Sequence, residues 1–489
     1  MILRNLGVWA AAAAALAACT VGPDYKKPDA IVPATFKEMK GFIPVGWKLG
    51  EPQAAIDRGA WWSVYNDPVL DGLERQVEVS NQTLKQSAAA YEQARAVVQE
   101  ARAGLFPTAT ITPGVTRQSS GAESASSSGS GSFGGRTRTT YSIEGSATWD
   151  PDIWGKIRRT IEGDVAAAQV SAADLAAARL SAQATLAIDY FELRSADQLK
   201  TLLDDTVAQY KRSLQLTQNQ YDVGVAAKSD VITAQAQLLA AQASAVNVGV
   251  TRATLEHAIA VLIGRAPADL TIAPTGLPAY VPVVPASVPS ALLERRPDIA
   301  AAERAMQEQN AQIGVAIAAF YPDLSLTALY GYSGNPLGSL ISASNRVWSL
   351  GASAAETVFN GGLRSATVAA ARATYDGAVA NYRQVVLTAF QGVEDQLSTL
   401  RILQDQAAIQ TEAVKSAQQA VDIALNEYRA GTQAYTTVVT AQATLLQDQE
   451  TALTILQDRL VASATLIEDL GGGWDVDQLP DTSSVKSDK

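Results

Sequence analysis

The chain of 489 residues holds one cysteine, Cys19, and one histidine, His257. A lone thiol makes no intramolecular disulfide. A zinc site built on cysteine and histidine is excluded, and a cysteine–histidine nucleophile pair is close to excluded. A serine–histidine–aspartate triad would have to use His257. That residue lies in the helical pattern Thr251-Arg-Ala-Thr-Leu-Glu-His-Ala-Ile-Ala-Val and reads as a helix-surface or packing residue. No phosphate-binding loop or dinucleotide fingerprint is present, so no enzyme is expected. Basic residues are outnumbered, 38 against 49 acids for a net charge of −11, which makes nucleic acid a poor partner. Past residue 18 no apolar run reaches the roughly 18 residues of a transmembrane helix. A membrane crossing would have to be made of β-strands.

What is present begins at the N-terminus. Met1 to Arg4 is short and weakly basic, Leu6 to Ala18 is apolar and alanine-rich, and Leu16-Ala-Ala-Cys19 follows. Residues 1–18 read as a secretory leader with small residues before the cut, and the only cysteine stands at that cut. A chance buried cysteine is the bland alternative. The reading adopted is a bacterial lipoprotein signal: the Cys19 thiol takes an S-diacylglycerol and the new amine takes an N-acyl (palmitoyl) chain. Thr20, rather than aspartate, favours the outer membrane. Several acyl chains together anchor a protein stably, so 19–67 is expected to be a lipid-anchored N-terminal segment.

The rest of the chain is written twice, at a spacing of about 207 residues. Tyr221-Asp-Val-Gly224 through Thr-Ala-Gln235-Ala-Gln-Leu238-Leu239 runs in step with Tyr428-Arg-Ala-Gly431 through Thr-Ala-Gln442-Ala-Thr-Leu445-Leu446, and Gly264 aligns with Gly471. The period is too long for a solenoid and predicts two structural repeats, 68–264 and 291–474. Each holds a helix, a strand pair (105–153 and 319–358) and a helical hairpin (155–263 and 363–470). Residues 265–290 carry six prolines and no helical period, so they join the repeats. The tail, 475–489, is polar and expected to be disordered. Val393, Leu400, Ala407, Val414, Val421 and Tyr428 fall seven apart, the repeat of a left-handed coiled coil. A helix of about 67 residues extends about 100 Å. The helices at 68–104 and 291–318, set end to end, would match that reach.

The strand pairs alternate. Tyr141, Ile143, Ala147 and Trp149 share one face, and Thr140, Ser142, Glu144, Ser146, Thr148 and Asp150 the other. Leu324, Leu326, Ala328, Tyr330 and Tyr332 oppose Asp323, Ser325, Thr327 and Gly331. Runs of about ten alternating residues with aromatic ends are the pattern of an outer-membrane barrel strand, and the Ser/Gly-rich loops 118–138 and 333–346 fit an extracellular side. Four strands cannot close a barrel, which needs about eight, and open edges cannot sit in lipid. Copies of the chain would have to share one barrel. Two would give eight strands and three would give twelve; periodicity does not choose.

At this point the chain resembles the outer-membrane factor (TolC-like) family of tripartite efflux systems, in its lipid-anchored branch serving resistance-nodulation-division pumps. The residues that carry the likeness are Cys19-Thr-Val-Gly-Pro-Asp-Tyr-Lys-Lys-Pro28, Trp61-Trp62 with Tyr65-Asn-Asp-Pro68, Leu293-Glu-Arg-Arg-Pro-Asp298, Ala302-Glu-Arg304, Ala311-Gln-Ile-Gly314 and Ala319-Phe-Tyr-Pro322. The resemblance implies a mainly α fold with a small β part and a homotrimer with a twelve-stranded barrel over a helical tunnel. It implies a periplasmic adaptor and an inner-membrane pump as partners, and outer-membrane lipid around the barrel. It implies no catalysis, cofactor or metal. By the same resemblance, the turns Val223-Gly224-Val225 and Ala430-Gly431-Thr432 would meet the adaptor. Tyr428 would latch the periplasmic end through Asp230, for which the acid of a helix N-terminus is an equal alternative. Gln433, Thr436, Thr437 and Thr440 fall where relatives carry bulky apolar or charged residues at the constriction. A passive outer-membrane export channel for small molecules is the expected function. A type I secretion duct and a periplasmic coiled-coil structural lipoprotein are the alternatives.

Overall fold

The computed structural model describes residues 20–30, 32–41, 60–119, 137–284 and 289–486. The leader, Cys19 and most of the first Ser/Gly loop lie outside the described residues. The first repeat contains α1 (Pro68–Ser80), α2 (Gln82–Ala103), β1 (Thr108–Ser119), β2 (Thr137–Trp149), α3 (Lys156–Asp222) and α4 (Lys228–Leu262). The second contains α5 (Pro297–Ala318), β3 (Asp323–Gly334), β4 (Arg346–Ala355), α6 (Leu363–Arg429) and α7 (Tyr435–Asp469). A short α8 (Thr482–Lys486) follows. The molecule is mainly helical with four antiparallel strands. Helices α3 and α6 have 67 residues each, and α4 and α7 have 35 each.

All four long helices stop in the same way. At Gly224, Gly264, Gly431 and Gly471 the backbone turns left-handed, with φ of 78°, 68°, 75° and 94°. Each glycine N–H donates to the carbonyl three residues back, for example Gly431 to Tyr428 at 3.0 Å. The next N–H reaches the carbonyl five back, as Thr432 does to Glu427 at 3.0 Å. This is the Schellman motif, which satisfies carbonyls that the helix leaves unpaired. Glycine fits because an L side chain is disfavoured there.

Two of these glycines also close a joint. A Cβ on Gly264 would overlap the Ser80 carbonyl oxygen, and one on Gly471 the Arg295 carbonyl oxygen. Asn81 caps α2 by accepting from the Thr83 and Leu84 N–H groups at 2.8 and 3.1 Å, while its amide donates to the Leu262 carbonyl at 2.8 Å. In the second repeat Arg296 donates to the Asp469 carbonyl at 2.8 Å and its carboxylate at 3.0 Å. It also holds Asp298 through two bonds of 3.0 and 2.8 Å. This explains the Glu-Arg-Arg-Pro-Asp phrase: arginine bridges the joint, and Pro297 opens α5 without needing a donor. Each short helix is thereby set on the end of the long second helix of its own repeat, α2 on α4 and α5 on α7. The two short helices do not stack on one another, as the sequence suggested. Their lengths fit either arrangement, and the capping side chains decide.

The largest buried side chains gather at this level, among them Trp61, Tyr190, Phe191, Tyr382, Ile259 and Ile263. Polar tips inside find partners: the Tyr190 hydroxyl donates to Asp67 at 2.6 Å, and the Tyr65 and Ser463 hydroxyls lie 2.9 Å apart. Asp197 clamps the proline-rich joining segment, accepting from Arg252 Nε at 2.7 Å and from the Thr275 N–H at 3.1 Å.

The tail is a correction. Over 475–486 it is ordered against the helices: Val485 is fully buried among Val98, Ile161 and Val165, and Gln169 donates to the Pro480 carbonyl at 2.9 Å. Asp481 caps α8 by accepting from the Ser484 N–H at 2.6 Å. A polar average concealed the apolar Val485 and its cap.

The joint and the free hairpin turn make different demands on glycine. Gly471→Ala combines a left-handed backbone with a carbonyl clash, whereas a Cβ on Gly224 meets nothing within 4 Å. Gly224→Ala is expected to cost about 1–2 kcal/mol, the left-handed penalty alone. Gly471→Ala should cost clearly more. Thermal unfolding of the two purified variants checks the order.

Candidate functional site

The four strands form one sheet in the order β1-β2-β3-β4. Its register sorts the side chains by chemistry. Pairings such as Ile111 with Gly145, Gly145 with Tyr330, Tyr330 with Trp348, Ala147 with Ala328 and Ala328 with Leu350 put apolar residues on one face. The opposite face carries Thr110, Thr112, Thr116, Ser142, Ser146, Thr148, Thr327, Ser333, Ser349 and Ser353. The Thr110 and Ser146 hydroxyls lie 2.7 Å apart on it. The alternation seen in the sequence is thus one surface for an apolar medium and one for water. Strands β1 and β4 are edges, each paired on one side only.

Aromatic residues collect where the sheet passes into the helices. Trp154 stacks on Tyr321 at 4.8 Å and donates to the Pro322 carbonyl, and Trp149 donates to the Leu105 carbonyl. The N-terminal segment docks here. Val21 N–H donates to Trp154, and Thr20 lies against Gly155. Arg159, buried on α3, donates to the carbonyls of Val21 and Gly22 at 3.1 and 3.2 Å and pairs with Asp24 at 2.8 Å. Gly22 comes so close to Gly314 that a Cβ there would be 2.5 Å from its Cα. Arg159 was not singled out from sequence, since its partners are some 135 residues away.

At the far end the hairpin turns project freely. Val223 and Val225 are exposed, and nothing lies near a Cβ on Gly224 or Gly431. Behind them Tyr428 and Tyr435 pack at 5.2 Å against Val438, Ala424 and Ala234, joining the tips of the two hairpins. Asp230 lies in the first turn of α4, and no hydrogen bond joins it to Tyr428 within the chain; its carboxylate is 3.5 Å from the Ser229 hydroxyl. The Tyr428 hydroxyl is buried and without a hydrogen-bond partner, while neighbouring Thr217 donates to the Ser213 carbonyl at 2.9 Å. Burial pushes the Tyr428 phenol up, with the Asp230 charge adding to it. Tyr435 is pushed up to about 12 by burial and by Tyr428.

Thr436, Thr437 and Thr440 occupy the exposed face of α7, opposite buried Tyr435, Val438, Gln442 and Leu445, and Gln433 is exposed in the turn just before it. The Thr440 and Thr444 hydroxyls donate to the carbonyls of Thr436 and Thr440 at 3.0 Å, and Thr437 lies 3.5 Å from the Gln433 side chain. None of these residues carries a charge.

The sequence pattern of the family described as outer membrane efflux protein matches residues 73–265 and 288–472. The chain belongs to this family. Its two matched stretches coincide with the two repeats. The chain is 30% identical over 462 residues to the toluene efflux pump outer membrane protein TtgC of Pseudomonas putida, covering 94% of this chain and 93% of that one. To the cation efflux system protein CusC of Escherichia coli it is 27% identical, covering 94% and 97%. The solved outer-membrane channel OprN superposes with a TM-score of 0.85 at 28% identity, covering 93% of this chain and all of the other. The open-state MtrE channel of Neisseria gonorrhoeae gives 0.78 at 26%, covering 94% and 99%. The fold is TolC-like. The family member described here is an outer-membrane efflux channel that extends into the periplasm, and it is a channel rather than an enzyme.

Because the Tyr428 hydroxyl lacks a partner inside the chain, Tyr428→Phe gives up no hydrogen bond there and should not lower stability. Tyr435→Ala removes a buried ring and should cost about 3–5 kcal/mol. Unfolding of both purified variants measures the contrast.

Proposed function

We propose that three copies of the chain form a lipid-anchored duct in the outer membrane. Small molecules delivered by an inner-membrane resistance-nodulation-division pump through a periplasmic adaptor would leave by it. The observation that carries this reading is the sheet: one face apolar, one face lined with hydroxyls, and two unpaired edges. Backbone N–H and C=O groups cannot be left unpaired in lipid, so β1 of one copy pairs with β4 of the next. Twelve strands then enclose a water-facing bore, the number coming from the family resemblance.

The helices support the same assembly. Ile232, Leu239 and Val246 stand seven apart on α4, each more than half exposed in the single chain. Ile402, Ile409 and Ile423 fall on the same sevenfold frame of α6 and are equally exposed. Two apolar heptad seams on different hairpins fit side-by-side packing between neighbours. Docking of Thr20 at the aromatic junction supports an acylated Cys19 beside the lipid, since barrel aromatics sit at the interface. The free turns at Gly224 and Gly431 are the proposed adaptor contacts. Energy comes from the pump, so the duct itself needs no nucleotide site.

Purified from membranes, the chain is expected as an acylated, detergent-resistant trimer that conducts ions in planar bilayers. Leu239→Glu places a charge in the seam and should shift it to monomer without conductance. A wild-type chain that is monomeric and non-conducting would overturn the reading.

The proposed constriction at Gln433, Thr436, Thr437 and Thr440 is uncharged. A carboxylate ring concentrates cations in a narrow pore, and here hydroxyls stand in that place. Thr440→Asp should move the reversal potential in a salt gradient toward the cation equilibrium potential. No movement would show that this position does not set selectivity.

A further inference from the structure

Behind their tips the two hairpins share an apolar cluster of Ala234, Ala424, Tyr428, Tyr435 and Val438, with buried Ser213, Thr217 and Gln442 near it. Among the described residues, three of the side-chain hydrogen bonds that cross from one hairpin to the other lie close together here. Gln220 reaches the Tyr428 carbonyl at 3.4 Å. The other two meet in one residue. Gln442 on α7 donates from Nε2 to the Ser213 hydroxyl on α3 at 3.1 Å, and its Oε1 accepts from Gln237 on α4 at 3.4 Å. Gln442 and Ser213 are 4% and 5% exposed. A single amide therefore uses both of its ends to tie one helix of the second hairpin to both helices of the first.

Its place in the pattern is informative. Tyr435, Val438, Gln442 and Leu445 form the buried stripe of α7, spaced as the seam of a coiled coil, so Gln442 is a polar residue in an apolar seam. Apolar neighbours tolerate a small slide of one helix on another. An amide with two directional partners fits one register only, and that is the usual role of a lone polar seam residue. Gln235 holds the equivalent position in the first repeat and is exposed. The repeated Thr-Ala-Gln-Ala phrase thus has two different uses. The Tyr428 hydroxyl lies nearer the tip, beside Thr217 of α3.

We propose that Gln442, through Ser213 and Gln237, is the bolt that holds the two hairpins in their resting register and keeps the periplasmic end narrow. It is a positioning residue, since it acts through the helices and not on the solute. Widening the bore by moving one hairpin past the other would leave a buried amide and a buried hydroxyl without partners, and buried polar groups resist that. The inference rests on the duct reading.

The test is single-channel conductance of the full-length assembly in planar bilayers, with the melting temperature measured beside it. Gln442→Leu keeps the helix and the volume while removing both bonds. It is expected to raise resting conductance several-fold. Ser213→Ala should raise it less, and the double variant should match Gln442→Leu because both changes remove the same bond. Gln235→Leu, at the exposed equivalent, should behave as wild type. A Gln442→Leu channel with a lowered melting temperature and wild-type conductance would overturn the proposal, since that is the mark of a merely structural residue. If Gln442→Leu does not assemble, Ser213→Ala decides alone, and wild-type conductance there counts against the bolt. A wild-type chain that forms no pore would instead defeat the duct reading.

Discussion

The joint between a short helix and a long one is the constraint on which the rest of the structure depends. A helix end leaves four backbone groups without intrahelical partners, and here two such ends meet. The Leu262 carbonyl receives the Asn81 amide, and the Asp469 carbonyl receives the Arg296 guanidinium. Glycine at 264 and 471 lets the backbones approach as closely as that arrangement needs. The result is a composite rod of 22 and 35 residues lying beside a continuous helix of 67. At 1.5 Å per residue the two differ by only about 15 Å before the joint itself is counted. Equal reach brings both hairpin tips to one level and both strand pairs to another. A sheet at one end and two hairpin turns at the other are possible only if those levels are kept.

The two repeats share this frame and depart from it where they face different surroundings. Asparagine makes the first joint, and an arginine held by two aspartates makes the second. Tyr221 is exposed where its partner Tyr428 is buried, and Gln235 is exposed where Gln442 is buried. The second hairpin packs its stripe against the first, whereas the first leaves Ile232, Leu239 and Val246 open. Identical phrases therefore do different work according to which helix lies across from them.

Local periodicity made much of this legible. The sevenfold apolar spacing over 393–428 marked α6, alternation marked the strands and their faces, and the paired glycines marked the hairpin ends. What local pattern could not show was pairing across long separations. Arg159 reads as an ordinary charged residue on a helix until the Val21 and Gly22 carbonyls are found on it. Val485 is an apolar residue in a mostly polar tail, and its pocket is made by α2 and α3. The Tyr428–Asp230 latch came from resemblance alone, and within one chain the Tyr428 ring packs on Tyr435.

Hydroxyls recur at both ends of the proposed passage, beside a few charged residues such as Glu144 on the sheet. The polar face of the sheet is mostly serine and threonine, and so is the exposed face of α7 near the tip. Many of the helical hydroxyls are already committed: Thr440, Thr444, Thr451 and Thr454 each donate to a carbonyl four residues back. A hydroxyl bonded to its own helix has no free proton to offer a passing solute, and it brings no fixed charge. Conduction requires that binding along a pore be weak enough for release. A duct with no energy source of its own has no means of forcing a tightly held solute onward. Wetted walls with few uncommitted donors meet that requirement for solutes of many kinds. Discrimination in the proposed duct then falls to whatever loads it.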